Sequence, residues 1–124
     1  MSTWEERAAE AGRLGRHLGT ADADRRLLDL LLDGENTAVS QSAADAVLAQ
    51  DDARGLRLYV RAFGRADEDT RNKLGDCLYD DSGSRWEAVA LRLPSLLADA
   101  EPDVRHGAAM LTDHMRDQAR HHTR

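Results

Sequence analysis

The similarity between two short segments constrains the fold of this sequence more than any other feature. Residues 103–105 read Asp-Val-Arg within the segment EPDVRHGAAML, and residues 69–71 read Asp-Thr-Arg 34 positions earlier. A spacing of this length is typical of proteins in which helical hairpins stack on one another. Because one hairpin cannot bury its apolar face alone, the pattern predicts that neighbouring hairpins share a continuous core.

Composition and periodicity also favour helices. The chain of 124 residues has the length of one domain, and its hydrophobic residues are mainly Ala and Leu, with one Phe, two Tyr and two Trp. Valine and isoleucine are too scarce for the β-branched runs that strands favour. Apolar residues recur at helical spacing in about seven short segments, which begin near Trp4, Asp22, Thr37, Asp52, Asp69, Arg85 and Pro102. We therefore expect an all-α domain over residues 1–124, in which residues 117–124 form a frayed tail.

The segment at residues 52–66 carries the clearest amphipathic pattern of the chain. Its periodicity of 3.6 residues predicts a helix with one buried face and one exposed face. The apolar face is formed by Leu56, Tyr59, Val60 and Phe63. The opposite face carries four arginines, which we call the Arg stripe: Arg54, Arg57, Arg61 and Arg65.

The segment at residues 101–111 resembles the first helix of a HEAT repeat, in which an acidic residue, Pro, Asp, Val and Arg precede paired alanines and a leucine. The matching residues are Pro102, Asp103, Val104, Arg105, Ala108 and Ala109. The resemblance covers about residues 37–115. It is partial at residues 69–71, and the unit that begins at Thr37 lacks both the Asp and the Arg. The resemblance implies a right-handed α-α superhelix of short antiparallel helices.

In such a superhelix, first helices form an outer layer and second helices form an inner, concave layer. The outer helices would begin at Thr37, Asp69 and Pro102, and the inner helices at Asp22, Asp52 and Arg85. The last outer helix has no inner partner. Unless the chain's own core covers them, it exposes Val104, Leu111 and Met115. This arrangement predicts a homo-oligomer formed through the C-terminal helix.

The Arg stripe falls on the concave layer in this arrangement, and Arg85 and Arg92 take similar positions on the next inner helix. Guanidinium groups bind carboxylates and phosphates in a bidentate manner. The six arginines are therefore candidate binding residues for an acidic peptide or a phosphorylated ligand. The alternative is a solvated helix face that is neutralised by the acidic turns at residues 51–52 and 67–69.

Because HEAT-like domains are associated with protein binding, the resemblance implies a non-catalytic protein–protein interaction module that uses its concave face on an unidentified protein partner. Such a module would be an adaptor, an immunity protein or an antitoxin-like binder. One alternative is binding of nucleic acid or a phosphorylated ligand through the Arg stripe, and another is an edge subunit of a larger complex. The net charge of −6 disfavours general attraction to duplex nucleic acid or anionic lipid.

The sequence offers little for catalysis or metal binding. It contains no nucleophile elbow, Gly-rich phosphate loop, CxxC or HExxH motif. Cys77 shares an apolar stripe with Leu74 and Leu78, which predicts an inert buried thiol. His106 and His114 are two helical turns apart, too far to bind one metal ion without an intervening ligand. We therefore expect no enzymatic activity, no cofactor and no metal.

Targeting signals are absent from the sequence as well. The first twenty residues lack the apolar core of a signal peptide, and the longest apolar-rich run, residues 27–32, is interrupted by Asp29. That run is far shorter than the roughly 20 residues that span a bilayer. We expect a cytoplasmic protein without a membrane span. Lys73 is the one lysine among seventeen basic residues, and this use of arginine with abundant Ala and Asp suggests a GC-rich, bacterial genome.

Overall fold

The computed structural model describes residues 3–33, 36–49, 53–79 and 83–122, and within them the protein is all-α. The prediction of an all-α chain with about seven helices is confirmed, and the described residues contain no strand. The helices are α1 (Trp4–Leu14), α2 (Ala21–Leu31), α3 (Thr37–Leu48), α4 (Ala53–Arg65), α5 (Glu68–Asp76), α6 (Ser84–Leu97) and α7 (Pro102–His122). A short 3₁₀ helix at Gly15–His17 follows α1.

Polar side chains fix where several helices begin. The Thr3 hydroxyl accepts a hydrogen bond from the Glu6 N–H at 3.2 Å at the start of α1. The Asp67 carboxylate accepts one from the Thr70 N–H at 2.8 Å, so α5 begins two residues after the Ala66 that follows α4. Such caps satisfy N–H groups that have no partner within the helix. The helix predicted from Asp69 to about Tyr79 therefore begins one residue earlier, and it ends at Asp76.

Helix α4 is the central helix of the fold. It packs against α2, α3, α5, α6 and α7, and most extensively against α7. The predicted apolar face of α4 is confirmed, since Leu56, Tyr59, Val60 and Phe63 are all buried. The Tyr59 hydroxyl donates a hydrogen bond to the Leu74 carbonyl oxygen at 2.6 Å, which joins α4 to α5. A fully buried phenol is stabilised only when its hydroxyl finds such a partner.

Glycines let α4 approach its neighbours closely. A Cβ atom at Gly107 in α7 would overlap the Val60 carbonyl oxygen in α4, and a Cβ atom at Gly64 would lie 3.0 Å from the Gly107 Cα. At the α3–α4 contact, a Cβ atom at Gly55 would overlap the Val47 carbonyl oxygen. Each glycine costs helix stability relative to alanine. Here that cost is offset because the helix backbones pack more closely than they could if these positions carried side chains.

Some contacts between helices agree with the predicted inner and outer layers, but one contact is not expected from that arrangement. Helix α4 contacts both α2 and α6, and α3 contacts α5, as the inner and outer layers require. The extensive α4–α7 contact joins two helices that are not neighbours in the repeat scheme. The right-handed superhelix itself stays a prediction.

The apolar stripe of α7 is covered by the chain's own core. Val104 and Leu111 are fully buried, and Met115 is buried as well. Val104 and Leu111 therefore provide no surface for self-association, and a homo-oligomer through this helix stays a prediction that these two residues do not support. Helix α7 continues through His122, within the range predicted to be a frayed tail, while residues 123–124 lie outside the described part.

Candidate functional site

Arginines of the Arg stripe contact acidic residues at the start of α7. The Arg57 guanidinium binds the Asp99 carboxylate through two hydrogen bonds, from Nε to Oδ2 at 3.0 Å and from Nη2 to Oδ1 at 3.1 Å. A second carboxylate, that of Glu101, lies 3.6 Å from Arg57 Nη2. This bidentate geometry is the one that guanidinium and carboxylate groups favour.

The same arrangement continues along α4. Arg61 forms ion pairs with Glu101 and with Asp103, whose Oδ2 lies 3.4 Å from Arg61 Nε. Arg65 Nη2 donates a hydrogen bond to Asp103 Oδ2 at 3.1 Å. Three arginines thus face three carboxylates. We call this set the α4–α7 network: Arg57, Arg61, Arg65, Asp99, Glu101 and Asp103.

The expectation of an exposed basic face is wrong for two arginines of the network. The side chains of Arg57 and Arg61 are only 35% and 24% exposed, and carboxylates already engage both. The neutralising acids are those of the network rather than the turn at residues 67–69, and residues 51–52 lie outside the described residues. The role of these arginines in ligand binding stays a prediction.

The other candidate arginines do not share those partners. Arg85 Nη1 lies 3.0 Å from Asp45 Oδ1 and donates a hydrogen bond to the Cys77 carbonyl oxygen at 2.9 Å. Arg54 is exposed at the start of α4, with its guanidinium beside Gly19, and Arg92 is half-buried on α6. Four of the six predicted binding residues, Arg57, Arg61, Arg65 and Arg85, thus form ion pairs with carboxylates of the chain itself.

The cysteine, histidine and methionine side chains that could take part in catalysis or metal binding pack against other residues of the chain. Burial raises the pKa of the Cys77 thiol to about 12, so the thiol stays protonated at neutral pH. His114 packs edge-on against Phe63 with ring centroids 5.4 Å apart, and burial lowers its pKa. The Sδ atom of Met110 lies 3.6 Å from Arg71 Nη1. Among the described residues, no group of three His, Cys, Asp or Glu side chains could hold a metal ion.

An apolar groove between α6 and α7 is the surface feature with the clearest capacity to bind a partner. Its volume is about 310 Å³, and it is open to solvent. One wall consists of α6 residues: Trp86, Ala90, Leu93, Pro94 and Leu97. The other wall consists of α7 residues: Thr112, Met115, Arg116 and Ala119. We call this feature the α6–α7 groove.

Polar groups are few in the α6–α7 groove. The Thr112 hydroxyl already donates a hydrogen bond to the Ala108 carbonyl oxygen at 2.7 Å. Arg116 is exposed and forms no ion pair or hydrogen bond with any residue of the described chain. At one end of the groove, the Trp86 ring stacks on Tyr79, with centroids 5.2 Å apart. The groove therefore offers an apolar floor, an aromatic end and one unpaired cation.

The groove is not evident from the sequence, although α6 carries a signal for it. Helical spacing over residues 85–98 predicts one apolar face, which is a wide arc for a helix that packs on a single neighbour. Its residues are Trp86, Val89, Ala90, Leu93, Leu96 and Leu97. In the structure, Val89, Leu93 and Leu96 are buried in the core, whereas Leu97 is 42% exposed. The groove is lined by the less buried residues of the arc, Trp86, Ala90 and Leu97, together with Leu93 at the boundary of the core.

Comparisons with known proteins return no relative: no family model, curated protein or solved structure matches the chain. The resemblance to HEAT repeats therefore stays a prediction from the sequence. No helix of the described residues combines the length and the apolar character needed to cross a membrane.

Proposed function

We propose that this chain is a non-catalytic protein–protein interaction module, of the adaptor, immunity or antitoxin-like kind, and that it binds its partner in the α6–α7 groove. The observation that carries the proposal is the groove itself. Seven of its nine lining residues are apolar, and the groove stays open to solvent. Large exposed apolar patches on soluble proteins mark interaction sites and binding grooves, and we take this groove to be such a site.

The chemical character of the groove supports a protein partner. Trp86 and Met115 belong to the residue types that are enriched at the centres of protein interfaces. Leu97 presents a large aliphatic side chain at the edge of the groove, where a partner would remove it from water. Full burial of an exposed leucine side chain contributes roughly 1.5–3 kcal/mol, and the exposed 42% of Leu97 would supply part of that free energy.

This proposal moves the binding surface away from the Arg stripe. A phosphorylated ligand or a nucleic acid at Arg57 or Arg61 would have to displace carboxylates that already bind these side chains. Such competition weakens the case for polyanion binding. We retain the right-handed HEAT-like superhelix, the cytoplasmic location and the bacterial origin as parts of the proposal. A role as an edge subunit would use the same groove.

Site-specific photo-crosslinking in the native host tests the proposal. A photoreactive amino acid at Leu97 places the probe at the edge of the groove, and the same amino acid at Arg25, an exposed residue of α2, serves as the control. We expect a discrete crosslinked species from position 97 and none from position 25. The proposal fails if position 97 yields no species, or if both positions yield the same one.

A further inference from the structure

We propose that the occupant of the α6–α7 groove is an amphipathic α-helix of the partner protein, and that Arg116 selects a helix with a carboxylate beside its apolar stripe. This inference rests on the proposed function and specifies the partner of the same site. Three observations support it: the scarcity of backbone hydrogen-bond partners in the groove, the spacing of the α6 residues and the lack of an ion-pair partner for Arg116.

The walls of the groove determine which kind of backbone can enter it. Both walls are helices, so nearly all of their backbone N–H and C=O groups are bonded within the helix. The exception in the lining is the Ala90 carbonyl oxygen, because Pro94 has no N–H to donate to it. The one hydroxyl in the lining, that of Thr112, already donates to a carbonyl oxygen of its own helix. An extended peptide would therefore bury N–H and C=O groups without partners, which is costly. A helical guest satisfies its own backbone and presents only side chains.

The spacing of the α6 wall suits such a guest. Trp86, Ala90, Leu93 and Leu97 lie four, three and four residues apart, so they line one side of α6. At a rise of 1.5 Å per residue, this row is about 16 Å long. A guest helix of three turns has the same length, and its leucines at positions i, i+4, i+7 and i+11 would pack between α6 and α7, as helices do in hydrophobic grooves.

Charge gives the guest its specificity. Arg116 is the one charged residue in the lining, and it has no partner within the described chain. By contrast, Arg120 on the same helix lies 3.7 Å from Asp117. A carboxylate of the guest helix, beside its apolar stripe, would form an ion pair with Arg116. Because the net charge of the chain is −6, we expect the rest of the guest to be neutral or basic, since general acidity would oppose association.

Three synthetic peptides of 16 residues test this inference. They share an amphipathic helical sequence of Leu, Ala and Lys with leucines at i, i+4, i+7 and i+11, and they differ at one position beside the stripe, which is Glu, Gln or Lys. Binding is followed by the fluorescence of Trp86 in a Trp4→Phe background, since Trp4 and Trp86 are the two tryptophans of the chain. We expect the Glu peptide to bind about two- to fivefold more tightly than the Gln peptide at low salt, the effect of one exposed ion pair.

Two variants and a control assign the effect to the groove. Arg116→Gln should bring the Glu and Gln peptides to equal affinity, whereas Arg120→Gln should preserve the preference. Leu97→Asp should weaken the binding of all three peptides at least tenfold. Because Leu97 is partly exposed, this variant should keep the helical circular dichroism of the parent protein, which verifies that the loss of binding is not unfolding.

Several outcomes would overturn the inference. It fails if none of the peptides binds at millimolar concentration, if the Lys peptide binds as tightly as the Glu peptide, or if Arg116→Gln retains the preference. It also fails if the protein is a dimer that Leu97→Asp dissociates, because the occupant is then a second copy of the chain. If one of these results is obtained and position 97 still crosslinks to a partner, the proposed function holds. Only the inference that the partner binds through an amphipathic helix is then wrong.

Discussion

Gly107 in α7 lies directly on the carbonyl oxygen of Val60 in α4, with no space for a side chain between the two backbones. The two helices pack together more extensively than any other pair of described helices, and Val60 is itself fully buried. The absence of a Cβ atom at position 107 therefore sets how closely the two helices approach.

Gly107→Ala should destabilise the protein. The added methyl group would overlap a backbone oxygen, which cannot rotate away, so α7 must shift outward from α4. Overpacking of this kind costs about 1–3 kcal/mol, and helix propensity returns about 1 kcal/mol. Because the methyl group meets backbone, we expect a cost in the upper part of that range, so the free energy of unfolding, measured by urea denaturation, should fall by about 1–2 kcal/mol.

Gly12→Ala is the matched control for that substitution. Gly12 also lies within a helix, but a Cβ atom there would meet no atom within 4 Å. This variant should raise the free energy of unfolding by about 0.5–1 kcal/mol through helix propensity alone. Equal effects of the two substitutions would mean that the Val60–Gly107 contact does not limit the approach of α7.

The Arg57–Asp99 pair should contribute measurably to stability. The Asp99 side chain is 16% exposed and also accepts a hydrogen bond from the Glu101 N–H at 3.0 Å. Because the Arg57 side chain is about one-third exposed, solvent screens part of the interaction. A double-mutant cycle with Arg57→Gln and Asp99→Asn should give a coupling energy of about 1 kcal/mol at low salt, and less in 1 M NaCl.

The control for this cycle is the pair formed by Asp22 and Arg25 on α2. Their closest charged atoms are 3.9 Å apart, and both side chains are largely exposed. The same cycle at this pair should give no measurable coupling. If the two cycles give the same coupling energy, the Arg57–Asp99 pair contributes no more to stability than an exposed ion pair does.

His114 should make the protein less stable in mild acid. Burial against Phe63 and beside Gly75 lowers the pKa of His114 in the folded state, although Asp76 and Asp117 act in the opposite direction. The unfolded chain then binds more protons than the folded chain below pH 6.5, its pKa when unfolded. Stability should therefore fall as the pH drops from 6.5 to the folded pKa, and level off below it.

Urea denaturation between pH 7.5 and pH 5 measures this dependence. His114→Gln should remove the fall in stability, whereas His17→Gln, which changes an exposed histidine after α1, should preserve it. The prediction is wrong if the parent protein and His114→Gln show the same difference in unfolding free energy between the two pH values.

Cys77 should react slowly with thiol reagents while the protein is folded. Burial raises its pKa from 9.0 to about 12, so the thiolate fraction at pH 8 falls by about a thousandfold. A less acidic thiolate is a stronger nucleophile, which offsets part of this loss. The rate with Ellman's reagent in native buffer should therefore be lower than the rate in 6 M guanidinium chloride by about one to two orders of magnitude. Comparable rates in the two conditions would place Cys77 at an accessible, ionised position.

The sequence predicted those parts of the fold that leave a periodic signal. The buried face of α4 at Leu56 and Phe63 follows from helical spacing, and the start of α7 at Pro102 follows from the preference of proline for the first turn. The pairing of α4 with α7 could not be predicted in this way, because Gly64 and Gly107 make their contact by lacking a side chain and so add nothing to an apolar pattern.

The candidate site was harder to predict than the fold. The Arg stripe is visible in the sequence, but Asp99 lies 42 residues beyond Arg57, and no local rule links charges at that separation. The α6–α7 groove depends on which part of α6 the core leaves uncovered, and that is decided by tertiary packing. The exposed position of Leu97 beside the buried Leu96 is the kind of difference that helical periodicity alone does not resolve.

The place of α7 in the fold has a consequence for synthesis of the protein. Helix α4 leaves the ribosome well before α7, whose contacts with it span about forty residues of sequence. Before α7 is synthesised, the residues of α4 that α7 covers in the folded protein, around Val60, have no partner. The nascent chain then exposes these apolar side chains to water. Contacts this distant in sequence slow folding and expose intermediates to aggregation. A ribosome that pauses between α6 and α7 would thus hold the chain in the state that chaperones recognise.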